Sequence, residues 1–196
     1  MVKFMFTIEK ANGINIINKS KFITDIFFVN NIDDIDKYLK EIKNKYKDAT
    51  HYCYAYIIDN LKRFSDDNEP NGTAGKPILD CLEKNNLNHV LCIVTRYFGG
   101  IKLGASGLLR AYSNSVSNTI NESIKYELIN GYEVEITFDY TKTNEINNIL
   151  TNYEIKDKIF DSNVSYTVLI DNYILDKLKN ICDVKIKKEI IIKKQI

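Results

Sequence analysis

Apolar positions along this chain recur with a period that switches repeatedly between two and about 3.6 residues, which predicts a mixed α+β fold. Lys3 to Glu9 and Lys19 to Val29 read as strands, and the Asn12-Gly13 pair between them predicts a hairpin turn. Ile32, Ile35, Leu39, Ile42 and Tyr46 follow at helical spacing behind an Asn31 cap. Asp33, Asp34 and Asp36 stand early in this helix and Lys43, Lys45 and Lys47 late, the order the helix dipole favours. His51 to Asp59 alternates and then runs apolar, as a central strand would. Arg63 to Lys76 (RFSDDNEPNGTAGK) carries turn formers and charge but no period, so it reads as a long connection of the kind that serves function. Pro77 sets the first turn of a short helix to about Asn86. Val90 to Tyr97 is a buried strand, and Phe98 to Leu103 a glycine-punctuated loop. The helix from Gly104 runs to about Tyr126, with Leu108, Leu109, Tyr112, Val116 and Ile120 on its apolar stripe.

Gly131 marks the expected boundary between domains at 1–130 and 131–196. Tyr132, Val134, Ile136 and Phe138 alternate with polar residues, and the pattern beyond them is βαββαβ: a helix around Glu145 to Leu150, strands at Ile155 to Phe160 and Val164 to Ile170, a helix from Tyr173 to Lys179 and a strand from Val184 to Ile192. In such a sheet Glu133 and Glu135 should face Lys185 and Lys187 across the first and last strands. The open sheet face, with Ser165 and Thr167, has no aromatics on which bases could stack.

Composition narrows the function classes. With 27 basic and 26 acidic residues in 196, the formal charge is +1, so no global field draws the protein to nucleic acid or membrane, and any polyanion site must be local. Cys53, Cys81, Cys92 and Cys182 lack zinc-ligand spacing and read as small apolar residues. No secretory segment opens the chain and no apolar run approaches membrane-spanning length, so a reducing cytoplasmic setting without a membrane partner is expected.

One region concentrates residues that the rest of the chain avoids. All three arginines (Arg63, Arg96, Arg110), both prolines and six of eight glycines fall between Arg63 and Arg110. Gly99, Gly100, Gly104 and Gly107, with Ser106 at the helix start, could offer backbone N–H groups to an anion, with Lys76, Arg96, Lys102 and Arg110 as counter-charges. The alternative is a tight turn that packs helix on sheet. Asp66, Asp67 and Glu69 could hold a divalent cation or neutralise the arginines. His51 stands at a strand edge without the order of a catalytic triad, and Thr73, Thr95 and Ser106 have no activating base.

Three ordered blocks, HYCYAY, SDDNEPNGTAGKPIL and VTRYFGGIKLGASGLLRAYS, together resemble the IMPACT/YigZ family over roughly Lys19 to Val116. The resemblance implies a domain of the ribosomal protein S5 domain 2 type, a sheet with helices on one side, followed by a ferredoxin-like domain. That pair resembles the fourth and fifth domains of elongation factor G. The family's eukaryotic members regulate translation, partly through an additional N-terminal domain that has no counterpart in this sequence. The motif surface carried over comprises His51, Asp66, Asp67, Glu69, Pro70, Gly72, Thr73, Gly75 and Tyr97 together with the glycine loop and its cations. Where the family has DDGEP, this chain has Asn68, a residue that tolerates the left-handed backbone. The resulting expectation is a non-enzymatic translation-associated regulator that binds RNA, the ribosome or a translation-factor protein, with no cofactor and no metal. One alternative is a nucleotide or phosphate enzyme using the glycine loop and a metal on the acidic loop. The other is a protein-interaction module in which the motif braces the fold.

Overall fold

The computed structural model describes residues 5–195, so Lys3 and Phe4 of the first expected strand lie outside the described residues. The chain divides into two compact units, one reaching Glu127 and the other Leu128–Lys194.

The first unit runs β1 (Met5–Thr7), β2 (Lys10–Ile17), β3 (Ser20–Phe28), α1 (Ile32–Lys45), β4 (His51–Ile58), β5 (Leu61–Ser65), α2 (Gly75–Lys84), β6 (Val90–Tyr97) and α3 (Gly104–Asn121). Its sheet has the order β2-β3-β6-β4-β5, with antiparallel neighbours throughout. β6 sits at the centre because its apolar run suits burial on both faces. Val90, Cys92 and Val94 join α2 and α3 in the main core, whereas Leu91 and Ile93 point the other way. Each such fully buried Val, Leu or Ile contributes about 1.5–3 kcal/mol relative to exposure.

Helices therefore cover both faces, not one. Tyr52, Tyr54 and Tyr56 on β4, with Leu91 and Ile93, make the second face apolar, and α1 covers it with Ile35 and Ile42. Asn31 caps α1 as expected, its side chain accepting the Asp34 N–H at 3.0 Å.

The first hairpin turns elsewhere than at Asn12-Gly13. Both residues lie inside β2, opposite Asp25 and Thr24, and the turn is Asn18-Lys19, whose φ values of 47° and 65° suit a two-residue hairpin. Gly13 answers a different demand: a Cβ there would lie 2.2 Å from Thr119 Oγ1, so glycine lets α3 lie close on the sheet. Arg63 to Ser65 also belongs to a strand, β5, paired with β4 through Arg63 opposite Tyr56. The aperiodic connection is thus shorter than its composition suggested.

The second unit completes βαββαβ with β7 (Tyr126–Phe138), a 3-10 turn (Tyr140–Lys142), α4 (Thr143–Ile149), β8 (Ile155–Phe160), β9 (Val164–Asp171), α5 (Asn172–Lys179) and β10 (Asp183–Gln195). Its strand order, β10-β7-β9-β8, is that of the ferredoxin-like fold. Val134, Ile136, Val164, Tyr166, Val168 and Ile170 meet α4 and α5 in a separate core. Gly131 lies within β7, where a Cβ would come 2.8 Å from the Ile170 carbonyl oxygen. Glu135 meets Lys187 at 2.8 Å as the pattern predicts. Glu133 instead meets Lys156, which stands at the register shift of β8 between Ile155 and Asp157, at 2.9 Å and Lys188 of β10 at 3.4 Å. No helix among the described residues is long and apolar enough to cross a membrane.

Gly13→Ala should destabilise the protein by about 1–3 kcal/mol in urea unfolding, the range for overpacking. Adding Thr119→Ala, which removes the clashing hydroxyl, should restore part of that loss. Asp25 supplies a second test. Burial pushes its carboxyl above the usual range, with Lys45 and Asn12 pulling the other way, and Oδ2 is buried without a partner. A raised folded pKa means that this group favours folding below its unfolded pKa and loses that contribution as pH rises through the folded value. Asp25→Asn should therefore raise stability at neutral pH, with the gain vanishing in acid, as urea midpoints across pH would read.

Candidate functional site

The acidic loop after β5 and the end of β6 meet beneath the surface. Arg96 Nη1 lies 2.6 Å from Glu69 Oε1, and both side chains are buried, at 5% and 3% exposure. The same carboxylate oxygen accepts the Tyr112 hydroxyl at 2.8 Å, bringing α3 into the cluster. The Arg96 guanidinium stands 5.4 Å from the ring centres of both Phe22 and Phe98, and its Nη2 reaches Ser20 Oγ at 3.4 Å. Arginine suits this place because its flat, weakly hydrated head can stack on rings while bonding a carboxylate in the plane, which an ammonium cannot do. Arg96 is therefore withdrawn from the anion-binding surface on which the sequence had placed it: its charge is already matched by this chain's own Glu69.

The remaining loop carboxylates are engaged too. Asp66 Oδ1 accepts the N–H groups of Ala74 at 3.0 Å and Gly75 at 2.8 Å, and Oδ2 that of Gly72 at 2.9 Å, so it caps α2 from eight residues upstream. Asp67 Oδ2 accepts the Tyr52 N–H at 2.6 Å. Asn68 takes φ 67°, the left-handed conformation its side chain tolerates. Thr73 bonds the Pro70 carbonyl at 2.6 Å, and a Cβ on Gly75 would collide with the Ser65 backbone at 2.7 Å. Among the described residues no group of three His, Cys, Asp or Glu is placed to hold a metal ion. Asp66 and Glu69, the carboxylates to which the nucleotide-enzyme alternative gives a cation, are bonded within the chain.

His51 flanks the ion pair. Its Nδ1 lies 2.8 Å from the Asp67 carbonyl, which can only accept, so Nδ1 carries the proton and Nε2 faces Glu69 at 3.8 Å. The Cys53 thiol donates to the Asp66 carbonyl at 3.0 Å and also touches the Tyr112 hydroxyl, and burial pushes both acids far above their ordinary range. Neither is a nucleophile at neutral pH. Tyr112, Phe22, Ser20 and Cys53 escaped the sequence reading of this site because each fits an apolar or strand pattern.

The glycine loop is anchored at its base and open at its tip. Phe98 N–H donates to Thr50 Oγ1 at 3.0 Å and Gly99 N–H to Ser20 Oγ at 3.1 Å. A Cβ on Gly99 would sit 2.0 Å from the Lys19 backbone, so only glycine fits. Gly100 and Gly104 have φ of 81° and 70° with nothing within 4 Å of a Cβ. Gly107 packs over Leu103, and Ser106 is exposed. Lys102 and Arg110 are exposed and form no ion pair with a described residue, whereas Lys76 is held by Asp80 at 2.6 Å. Tyr97 turns away, its hydroxyl donating to the Lys47 carbonyl. The expected site thus separates into a sealed interior and an exposed tip.

Residues 18–120 match the family model described as the Impact N-terminal domain. The chain is 37% identical over 177 residues to IMPACT family member YvyE of Bacillus subtilis (strain 168), an alignment covering 87% of this chain and 82% of that protein. It is 35% identical over 111 residues to IMPACT family member YigZ of Escherichia coli (strain K12), covering 54% of each. A solved structure described only as a hypothetical protein superposes with a TM-score of 0.67 at 24% identity, covering 92% of this chain and 91% of that one.

Removing one partner of the sealed pair leaves a buried charge without its match. Arg96→Ala and Glu69→Ala should each cost about 3–5 kcal/mol in urea unfolding, and the double variant should cost clearly less than their sum. Additive losses would show that the pair is not coupled.

Proposed function

The chain belongs to the IMPACT family, and from that premise we propose that it is a non-catalytic, translation-associated regulator that binds structured RNA, such as ribosomal RNA, through the tip of the glycine loop and the first turns of α3. The observation that carries this reading is the state of Lys102 and Arg110. On a chain of net charge +1 these two cations stay exposed and form no ion pair with a described residue, and a Cβ at Gly100 or Gly104 would meet nothing within 4 Å. Phe98 and Ile101 of the same loop are exposed, at 45% and 43%, which supplies apolar area on the segment that carries Lys102. An RNA partner uses both features: phosphates meet the cations, and unstacked bases or sugars cover the apolar residues. The pairing of an S5-type domain with a ferredoxin-like one, as in elongation factor G, gives the direction toward translation by analogy. Catalysis is disfavoured by the engagement of Asp66, Glu69 and Cys53 within the chain.

Two phosphate-binding cations predict a shallow but measurable salt dependence. Ribosome or structured-RNA affinity should fall as salt rises, and Lys102→Ala and Arg110→Ala should each weaken binding and reduce the slope of log K against log salt by about 1. Both substitutions lie on exposed residues and should leave the thermal midpoint unchanged. Salt-insensitive binding, or wild-type affinity in both variants, would overturn the RNA reading in favour of a protein partner.

A further inference from the structure

The two edges of the first unit's sheet are built differently. β5 is five residues long and turns Lys62 and Arg63 to solvent, and basic side chains are a common means of blunting a sheet edge. β2, at the other edge, is eight residues long and pairs with β3 from Lys10 to Ile17 without a bulge. It carries Ile14 and Ile16 on one face, at 60% and 70% exposure. A long, regular edge with exposed isoleucines is what natural sheets avoid unless something pairs with it.

The hairpin geometry tells which backbone groups are free. In a two-residue turn at Asn18-Lys19 the flanking pair, Ile17 and Ser20, exchanges hydrogen bonds, and bonded pairs then alternate along the ladder. Ile17, Asn15, Gly13 and Ala11 spend their N–H and C=O groups on β3. Ile16, Ile14, Asn12 and Lys10 direct theirs outward. Ile14 and Ile16, the exposed apolar residues of this strand, are thus among those whose backbone groups face outward.

We propose that β2 is a self-association strand, pairing antiparallel with β2 of a second copy about a two-fold axis through Asn15. This register sets Ile14 of each copy opposite Ile16 of the other, as hydrogen-bonded pairs with all four isoleucines on one face. The symmetry of the two isoleucines about Asn15 favours a second copy over a foreign strand, since one pattern serves both partners. Lys10 and Lys19 fall outside the central pairs, so no like charges face each other there. With a net charge of +1, long-range self-repulsion is also weak. The two five-stranded sheets would become continuous through this pairing.

Sedimentation equilibrium on the full chain tests the proposal. The wild type should approach twice the chain mass as concentration rises, and Ile14→Lys/Ile16→Lys, which sets lysines opposite lysines, should remain at the chain mass. Both positions are exposed, so circular dichroism and the thermal midpoint should stay those of the wild type. Asn15→Cys reads the register. Opposed residues of a non-hydrogen-bonded pair have Cα atoms about 4.5 Å apart, within disulfide reach, so mild oxidation should give a covalent dimer that the wild type, with its native cysteines, does not form. A monomeric wild type overturns the proposal, including one that instead binds an extended foreign peptide along β2. So does a dimer that survives the double lysine substitution, or an Asn15→Cys variant that cross-links no more than the wild type.

Discussion

The buried bond between Glu69 and Arg96 is the constraint on which one end of the first unit's sheet depends. Two charges removed from water are costly unless geometry and further bonds offset the loss. Here the offset draws in distant parts of the chain: Tyr112 from α3, Ser20 from the start of β3, and the rings of Phe22 and Phe98. The pair therefore fixes the acidic loop against β6, and that loop in turn places Asp66 to cap α2. A single ionic contact specifies how a loop, two strands and two helices come together.

The rarity of arginine and glycine in this chain pointed to positions with strict requirements, but rarity does not say whether a residue faces solvent. Arg96 and Arg110 look alike in sequence, each in a motif beside glycines. One follows five apolar strand residues and a buried threonine and is drawn into the sheet's interior; the other is on the outer side of α3. The deciding information is the loop carboxylate that reaches Arg96 across 27 residues of chain, which no local pattern encodes. The competing reading, in which the acids neutralise the arginines, was right for Arg96 and does not apply to Arg110.

Most elements were legible because their periods are strong: β6, α1 with its Asn31 cap, and the βαββαβ order of the second unit all follow the pattern of apolar residues. The failures have one physical origin, tertiary contact overriding local preference. Asn12-Gly13 has the chemistry of a turn, yet Thr119, more than a hundred residues away, requires the glycine in a strand. Arg63 to Ser65 looks like loop, yet β4 offers a ladder to pair with. The second cover of the sheet by α1 follows from tyrosines on β4, whose exposed-looking polar tips conceal apolar bodies.

The sealed pair also restricts how any ligand could act on this protein. A ligand shifts a conformational equilibrium only by its differential affinity for the two states. Opening the acidic loop would strand both Glu69 and Arg96, so an anion competing for Arg96 would have to displace a carboxylate already bonded to a guanidinium that stands against two rings. The glycine loop has no such barrier at its tip. Its base is held by Thr50 and Ser20, and between Gly100 and Gly104 the backbone is bordered by open space. Room for adjustment thus lies in the few residues around Lys102, while the loop's base is held. The blocks of the motif differ accordingly: the acidic block and Arg96 hold the scaffold, and the glycine block leaves its tip open to solvent.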